Sequence, residues 1–220
     1  MTPPGRRARE RAARRAEVLG VARRLFARKG YQRTTMVEVA AASEVALGTL
    51  YRICPSKEAM LWSLLENYVD QLIEHVRRAA AAAAAPHDLL PDVVRAQLAF
   101  SLQNADVLRL YLSGWTGYEF TVRQRFGERI DDKYEEYLGV LETVFRRGAR
   151  AGTLGAAPPR RLAIMLAGMI HALVRRWLRD KDLDLLGEGD ALVEVLLHGV
   201  ARDGSRRSNP TGRRQPPVAR

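Results

Sequence analysis

The sequence predicts an all-α fold in two parts, a three-helix head containing a helix-turn-helix and a larger helical body. Three observations predict it. Apolar residues recur at spacings of three and four along most of the chain, and no strand-like alternation or internal repeat stands out. Residues 34–58 carry an ordered series of helix start and stop signals spaced for two short helices and the start of a third. Breakers at Pro86 and at Gly152, Gly155, Pro158 and Pro159 divide the body into long helical segments.

The first helix carries Val18, Ala22, Leu25 and Phe26 on one face and ends near Gly30. Thr35 then precedes Met36, Val39, Ala40 and Ser43, one face of a short helix, and Glu38 stands three residues after Thr35. In that capping box the two side chains satisfy backbone N–H groups that the helix start leaves unpaired. A second short helix runs through Leu47, Gly48, Thr49, Leu50, Tyr51 and Arg52. Val45 and Leu50 can face inward there, leaving Leu47, Thr49, Tyr51 and Arg52 outward. Ser56 follows Pro55 as the cap of a fourth helix, which has Lys57 and Glu58 in its first turn and Leu61, Leu65, Tyr68 and Leu72 on one face. That helix is expected to run through the alanines of 79–85 until Pro86 ends it. Further helices are expected over 90–102, 107–115, 121–149, 160–179 and 190–201.

A short helix pair of this kind places its second helix in the DNA major groove. Thr49 and Arg52 would face base edges, Arg through a bidentate contact to guanine and Thr through its methyl group. Gly48 would let the backbone approach the groove, with Leu47 beside it. Thr34 and Thr35 would offer hydroxyls to phosphate, and Tyr51 and Lys57 would hold further phosphates.

The net charge of +11 is unevenly placed. Residues 1–33 carry eleven Lys and Arg against Glu10 and Glu17, and residues 201–220 carry six Arg against Asp203. The basic stretch 1–14 reads as a disordered arm contacting DNA phosphate, because it leads into the reading unit. Residues 204–220, rich in Ser, Pro, Gly and Arg, read as a basic disordered tail. Between them lie the helix-turn-helix domain, 15–60, and the helical body, 61–203.

At this point the sequence resembles the TetR family of transcriptional regulators. The residues that carry the resemblance are Leu25-Phe26, Gly30-Tyr31, Thr34-Thr35, Val39-Ala40, Val45, Gly48-Thr49-Leu50-Tyr51 and Ser56-Lys57-Glu58, with a weaker echo in Arg146 to Leu154 followed by Pro158-Pro159. Four positions depart from the family pattern. Glu44 stands where the turn usually has Gly, Ala46 where Ser usually caps the recognition helix, and Ile53-Cys54 where an aromatic pair is usual. The resemblance implies a cytoplasmic repressor that binds double-stranded DNA at an inverted-repeat operator and is released by a small apolar ligand. It also implies a homodimer through the two C-terminal helices, and the first of these, 162–178, is apolar on more than one face. It implies a body cavity, for which Phe100, Tyr111, Trp115, Tyr118, Phe120, Met165, Met169 and His171 are the candidate lining residues.

Other classes find little in the sequence. Histidines 75, 87, 171 and 198 have no metal-ligand spacing, and no P-loop, G-x-G-x-x-G or G-x-S-x-G is present, so no metal, cofactor or catalytic residue is expected. Asp131, Asp132, Glu135 and Glu136 read as a solvated helix face rather than catalytic carboxylates. The lone Cys54 fits a reducing compartment, and the N-terminal stretch lacks the apolar core of a secretory signal. No stretch is apolar for long enough to span a membrane. The two alternatives left open are a non-specific basic DNA binder and an all-helical enzyme without a recognisable motif.

Overall fold

The computed structural model describes residues 5–112, 119–154 and 157–199. In chain order the helices are α1 (Arg6–Lys29), α2 (Met36–Ala42), α3 (Leu47–Ile53), α4 (Lys57–Ala82), α5 (Leu89–Gln103), α6 (Ala105–Leu112), α7 (Glu119–Arg150), α8 (Pro159–Arg179) and α9 (Leu185–His198). Among the described residues there is no strand.

The head forms as its capping signals direct. The Thr35 hydroxyl accepts from the Glu38 N–H at 3.2 Å, and the Glu38 carboxylate accepts from the Thr35 N–H at 3.0 Å. Val18, Ala22 and Phe26 of α1 are buried with Val39 and Ala40 of α2, Leu50 of α3 and Met60 of α4 in the head's share of the core. Ser56 caps α4 by accepting from the Ala59 N–H at 3.0 Å. The two departures in the turn have visible consequences. Glu44 takes a left-handed backbone, φ 53°, and Ala46 caps α3 without a side-chain hydrogen bond.

The loop before α2 is clasped from α4. Lys57 Nζ donates to the backbone carbonyls of Tyr31, Gln32 and Thr34 at 3.0, 3.1 and 3.0 Å. It also sits 4.5 Å from the centre of the Tyr31 ring. An ammonium has three protons, and each finds an acceptor here.

Two expectations are corrected. Stretch 1–14 is not a disordered arm throughout, because α1 begins at Arg6. Arg and Ala are strong helix formers, and the Arg6–Glu10 and Arg14–Glu17 pairs, each at 2.7 Å, support the early turns. The last helix starts five residues before 190, because the Asp184 side chain caps it by accepting from the Gly187 N–H at 3.1 Å. Residues 204–220 lie outside the described residues.

In the body α4 packs against α5 and α7, α7 against α8, and α9 against α5 and α8. The glycine at 189 has a packing reason, since a Cβ there would collide with the Leu98 side chain of α5. Helix α4 runs from the head into this core without a break, so the boundary expected at residue 60 falls inside one rigid element.

Two measurements follow from the head. A left-handed non-glycine and a missing cap together cost about 2 kcal/mol. Glu44→Gly with Ala46→Ser should therefore raise Tm by about 4–8 °C in a domain of this size, and an unchanged Tm means that the turn holds both residues without strain. Lys57→Ala leaves three carbonyls without their donor and should lower Tm, with a cost of about 1–3 kcal/mol. If Tm instead stays constant while the salt dependence of DNA binding flattens, Lys57 binds phosphate and not the loop.

Candidate nucleic-acid interface and ligand cavity

Helix α3 presents one face to the core and one to solvent. Leu50 is fully buried, whereas Leu47, Gly48, Tyr51 and Arg52 are exposed and Thr49 is half-buried. A Cβ added at Gly48 would meet nothing within 4 Å, so nothing inside the chain requires a glycine there. Its effect is to leave a flat place on the outer face. Arg52 Nη2 donates to Thr49 Oγ1 at 2.9 Å, which sets the guanidinium along that face beside the hydroxyl. The helix is anchored from behind by Arg15, whose guanidinium donates to the Ile53 carbonyl at 2.7 Å and to Ser63 Oγ at 2.8 Å. A cation at a helix C-terminus is also favoured by the helix dipole.

Three residues expected on phosphate are differently engaged. Thr34 is fully buried and its hydroxyl donates to the Gly30 carbonyl at 2.9 Å, so it holds the loop and faces no solvent. Lys57 is the clasp described above. Thr35 is exposed, but its hydroxyl is shared with Glu38 in the capping box. The contacts of Thr34 and Lys57 depend on chain reversal between Gly30 and Thr34, which residue type alone does not reveal.

The body holds a partly open, mostly apolar cavity of about 150 Å3 between α4, α5, α6, α7 and α8. Trp62, Leu65 and Tyr68 line it from α4, Leu108 from α6, Tyr134 and Tyr137 from α7, and Ala167, Ile170, His171 and Val174 from α8. Its polar lining includes Ser101, Glu66 and Lys133 together with Gln97 of α5, which hydrogen-bonds the Tyr137 hydroxyl (Nε2 to Oη 2.6 Å). Burial pushes the Tyr137 phenol well above its ordinary pKa, so it stays protonated. Burial, and after it the charge of Arg175, lowers the pKa of His171 and favours a neutral imidazole. Cations stand near the cavity on the α7 side. Lys133 Nζ donates to Asp70 at 2.5 Å, and the Arg129 guanidinium lies 4.4 Å from the centre of the Trp62 ring.

Of the expected lining residues, His171 is placed at the cavity. Phe100 is buried beside it, packed on the rings of Tyr68 and His75 at 5.4 and 5.3 Å. Met169 is half-buried against the core and does not line the cavity. Met165 is half exposed, because the inward stripe of α8 is Ala163, Leu166, Ala167, Ile170 and Val174 and Met165 falls on the opposite side. The side chains of Tyr111 and Phe120, and all of Trp115 and Tyr118, lie outside the described residues. Sequence reading missed Gln97, whose available signal was an amide beside Val93, Val94 and Leu98 on the buried face of α5.

Head and body are joined a second time, away from α4. Arg23 of α1 donates to both carboxylate oxygens of Asp106 in α6, each at 2.6 Å, and to Asn104 at 3.2 Å. The hydrogen bond from Arg23 holds the Asp106 carboxyl below its ordinary pKa. Its stabilising effect is complete above the ordinary carboxylate range and is lost as pH falls through that lowered value. No sequence signal links these residues, which stand 83 positions apart.

On the far side, α8 exposes Ile164 and Met165, at 48% and 50%, with Gly168 and Ala172 between turns, and α9 exposes Val195. Among the described residues no helix is long and apolar enough to cross a membrane.

Comparison with known proteins agrees with this architecture. Residues 18–64, the whole of the helix-turn-helix and the start of α4, match the family described as bacterial regulatory proteins, tetR family. The chain is 25% identical over 186 residues to a fatty acid metabolism regulator protein of Bacillus subtilis, covering 84% of this chain and 94% of that one. It is 30% identical over 169 residues to the nucleoid occlusion factor SlmA of Sodalis glossinidius, covering 76% and 83%. The structure of the regulator FadR from Bacillus subtilis in complex with stearoyl-CoA superposes with a TM-score of 0.72 at 22% identity, over 84% of this chain and 99% of that one. With the head and body placed as they are, this chain belongs to the TetR family of DNA-binding transcriptional regulators.

Proposed function

We propose that this chain is a homodimeric repressor that reads an inverted repeat through α3 and releases it when a small apolar molecule enters the body cavity. The observation that carries the DNA-reading part is the outer face of α3, where Leu47, Gly48, Tyr51 and Arg52 are exposed and the Arg52 guanidinium is set along that face by its neighbour Thr49. Arg52 and Thr49 read base edges, and Tyr51 contacts the backbone. The apolar outer faces of α8 and α9 pair with those of a second copy, which places two heads for two half-sites.

The cavity defines the ligand by size and polarity. An apolar space of about 150 Å3 holds a molecule of roughly benzene size. The similar Bacillus subtilis protein was solved in complex with stearoyl-CoA, and a chain of that length would extend beyond the apolar space described here. The ligand proposed for this chain is a short acyl group or small ring with one polar atom for Gln97, Tyr137 or His171. Ligand reaches the head by two routes. One is α4, which lines the cavity with Trp62 and carries Lys57 at its first turn. The other is α6, where Leu108 lines the cavity two residues after Asp106 holds Arg23. A ligand that moves α6 acts on the Arg23–Asp106 bridge and so on the angle of α1 against the body.

Two experiments test this reading. In DNA binding to a sequence enriched from random duplexes, Arg52→Ala should cost about 1–3 kcal/mol and relax preference at one base position; preserved preference removes the base-reading role. In calorimetry with short acyl thioesters and simple aromatics, a bound ligand should lose affinity when that DNA is present, by the same factor that the ligand weakens DNA binding. Asp106→Asn should shrink the factor and leave ligand binding itself intact. A ligand that binds equally with and without DNA removes the coupling.

A further inference from the structure

We propose that the first turns of α1 form a second DNA contact, a rigid helical strip in which Arg7 and Arg11 hold backbone phosphates beside the half-site read by α3. The inference rests on the DNA-reading role proposed above and adds to it a surface that the helix-turn-helix does not include.

The argument begins with register. Arg7, Arg11 and Arg14 precede Val18, Val21 and Leu25 at alternating spacings of four and three, so all six lie along one line of α1. From Val18 onward that line is buried against the head, at 0%, 6% and 7% exposure. Before Val18 the same line is arginine and exposed. The face that packs on the head therefore continues past it as a cationic strip. By helix rise, Arg7 stands about 10 Å beyond Arg14.

Two contacts tie the strip to the reading surface. Arg14 Nη2 lies 3.5 Å from the Glu44 carbonyl in the turn before α3, and Arg15 holds the carbonyl at the end of α3. The exposed turns thus emerge beside the recognition helix, on the side of α1 that faces it. Arg6 and Arg14 have carboxylate partners in Glu10 and Glu17. Among the described residues Arg7 and Arg11 have none, and the Arg11 side chain donates only to the Arg7 carbonyl, at 3.3 Å.

Charge and composition select the partner. The strip repels a second copy of itself. Residues 6–14 contain only Arg, Ala and Glu, without the bulky apolar face that a membrane-surface helix needs. A polyanion adjoining the recognition helix fits, and duplex DNA is already placed there. Such contacts position the protein and carry no base information.

The test uses the full chain and two probes, a sequence enriched by the wild-type protein from a random duplex pool and an unselected duplex of equal length. Arg7→Ala with Arg11→Ala keeps good helix formers, which circular dichroism checks. It should reduce the slope of log affinity against log salt by about 1.8 per protomer, on both probes, with base preference unchanged. Arg7→Lys with Arg11→Lys should keep most of the slope. Arg9→Ala removes a charge from the opposite side of the helix and should leave the slope as it is. An unchanged slope in the double Ala variant overturns the inference, as does an equal loss in Arg9→Ala, which would indicate diffuse attraction without a defined face. Failure of the pool to enrich any sequence would strike at sequence-specific reading, and the unselected duplex would still decide the role of the strip.

Discussion

The structure depends on α4 being one unbroken helix that belongs to both halves. Its first residue, Lys57, uses its ammonium to hold the loop before α2. Its next turns line the cavity with Trp62, Leu65 and Tyr68, and Ile73 and Val76 are buried in the body core. A continuous helix has no soft joint, since each residue along it is tied by its backbone hydrogen bond four residues away. A displacement at Trp62 is therefore carried to Lys57, about 8 Å away along the axis, and from there to the loop that positions α2 and α3.

A rigid lever needs a fulcrum, and the Arg23–Asp106 bridge supplies one. It joins α1 to α6 at a place where α6 also meets the cavity through Leu108. The bidentate geometry constrains direction as well as distance, which a lysine at position 23 would not do. Head and body thus meet through the helix they share and through the packing of α1 on α6, in which the ion pair lies.

The cavity is small and mostly apolar, and that shapes what the body can recognise. Tyr137 and Gln97 satisfy one another inside it, and Glu66 and Lys133 bring charge to its wall only at the α4–α7 side. Lys133 and Arg129 stand at the α7 side with carboxylates already paired to them. A charged head group would have to displace those partners, whereas a neutral one would not.

Much of the fold was legible in the sequence for local reasons. The capping box at Thr35 and Glu38, the cap at Ser56, the strained turn at Glu44 and the uncapped start at Ala46 are set by residues within a few positions of each other, so their order along the chain determined them. The division of α3 into a buried Leu50 and an outer Leu47, Tyr51 and Arg52 was expected, but Leu47 stands only three positions from Leu50, so the packing of the head settled which leucine is buried. What only the tertiary structure decided were the partners of long side chains. Lys57 and Thr34 have the chemistry of phosphate ligands, and the chain reversal at Gly30–Thr34 turned both inward to backbone carbonyls. Met165 and Ile170 sit on the same helix with similar hydropathy, and the packing of α8 on α7 put one at the surface and the other at the cavity. Arg23 and Asp106 met because two helices crossed. Hydrophobic period specifies which side of a helix is buried, but not which neighbour it is buried against, and an arginine or lysine chooses its acceptor only after the neighbours are in place.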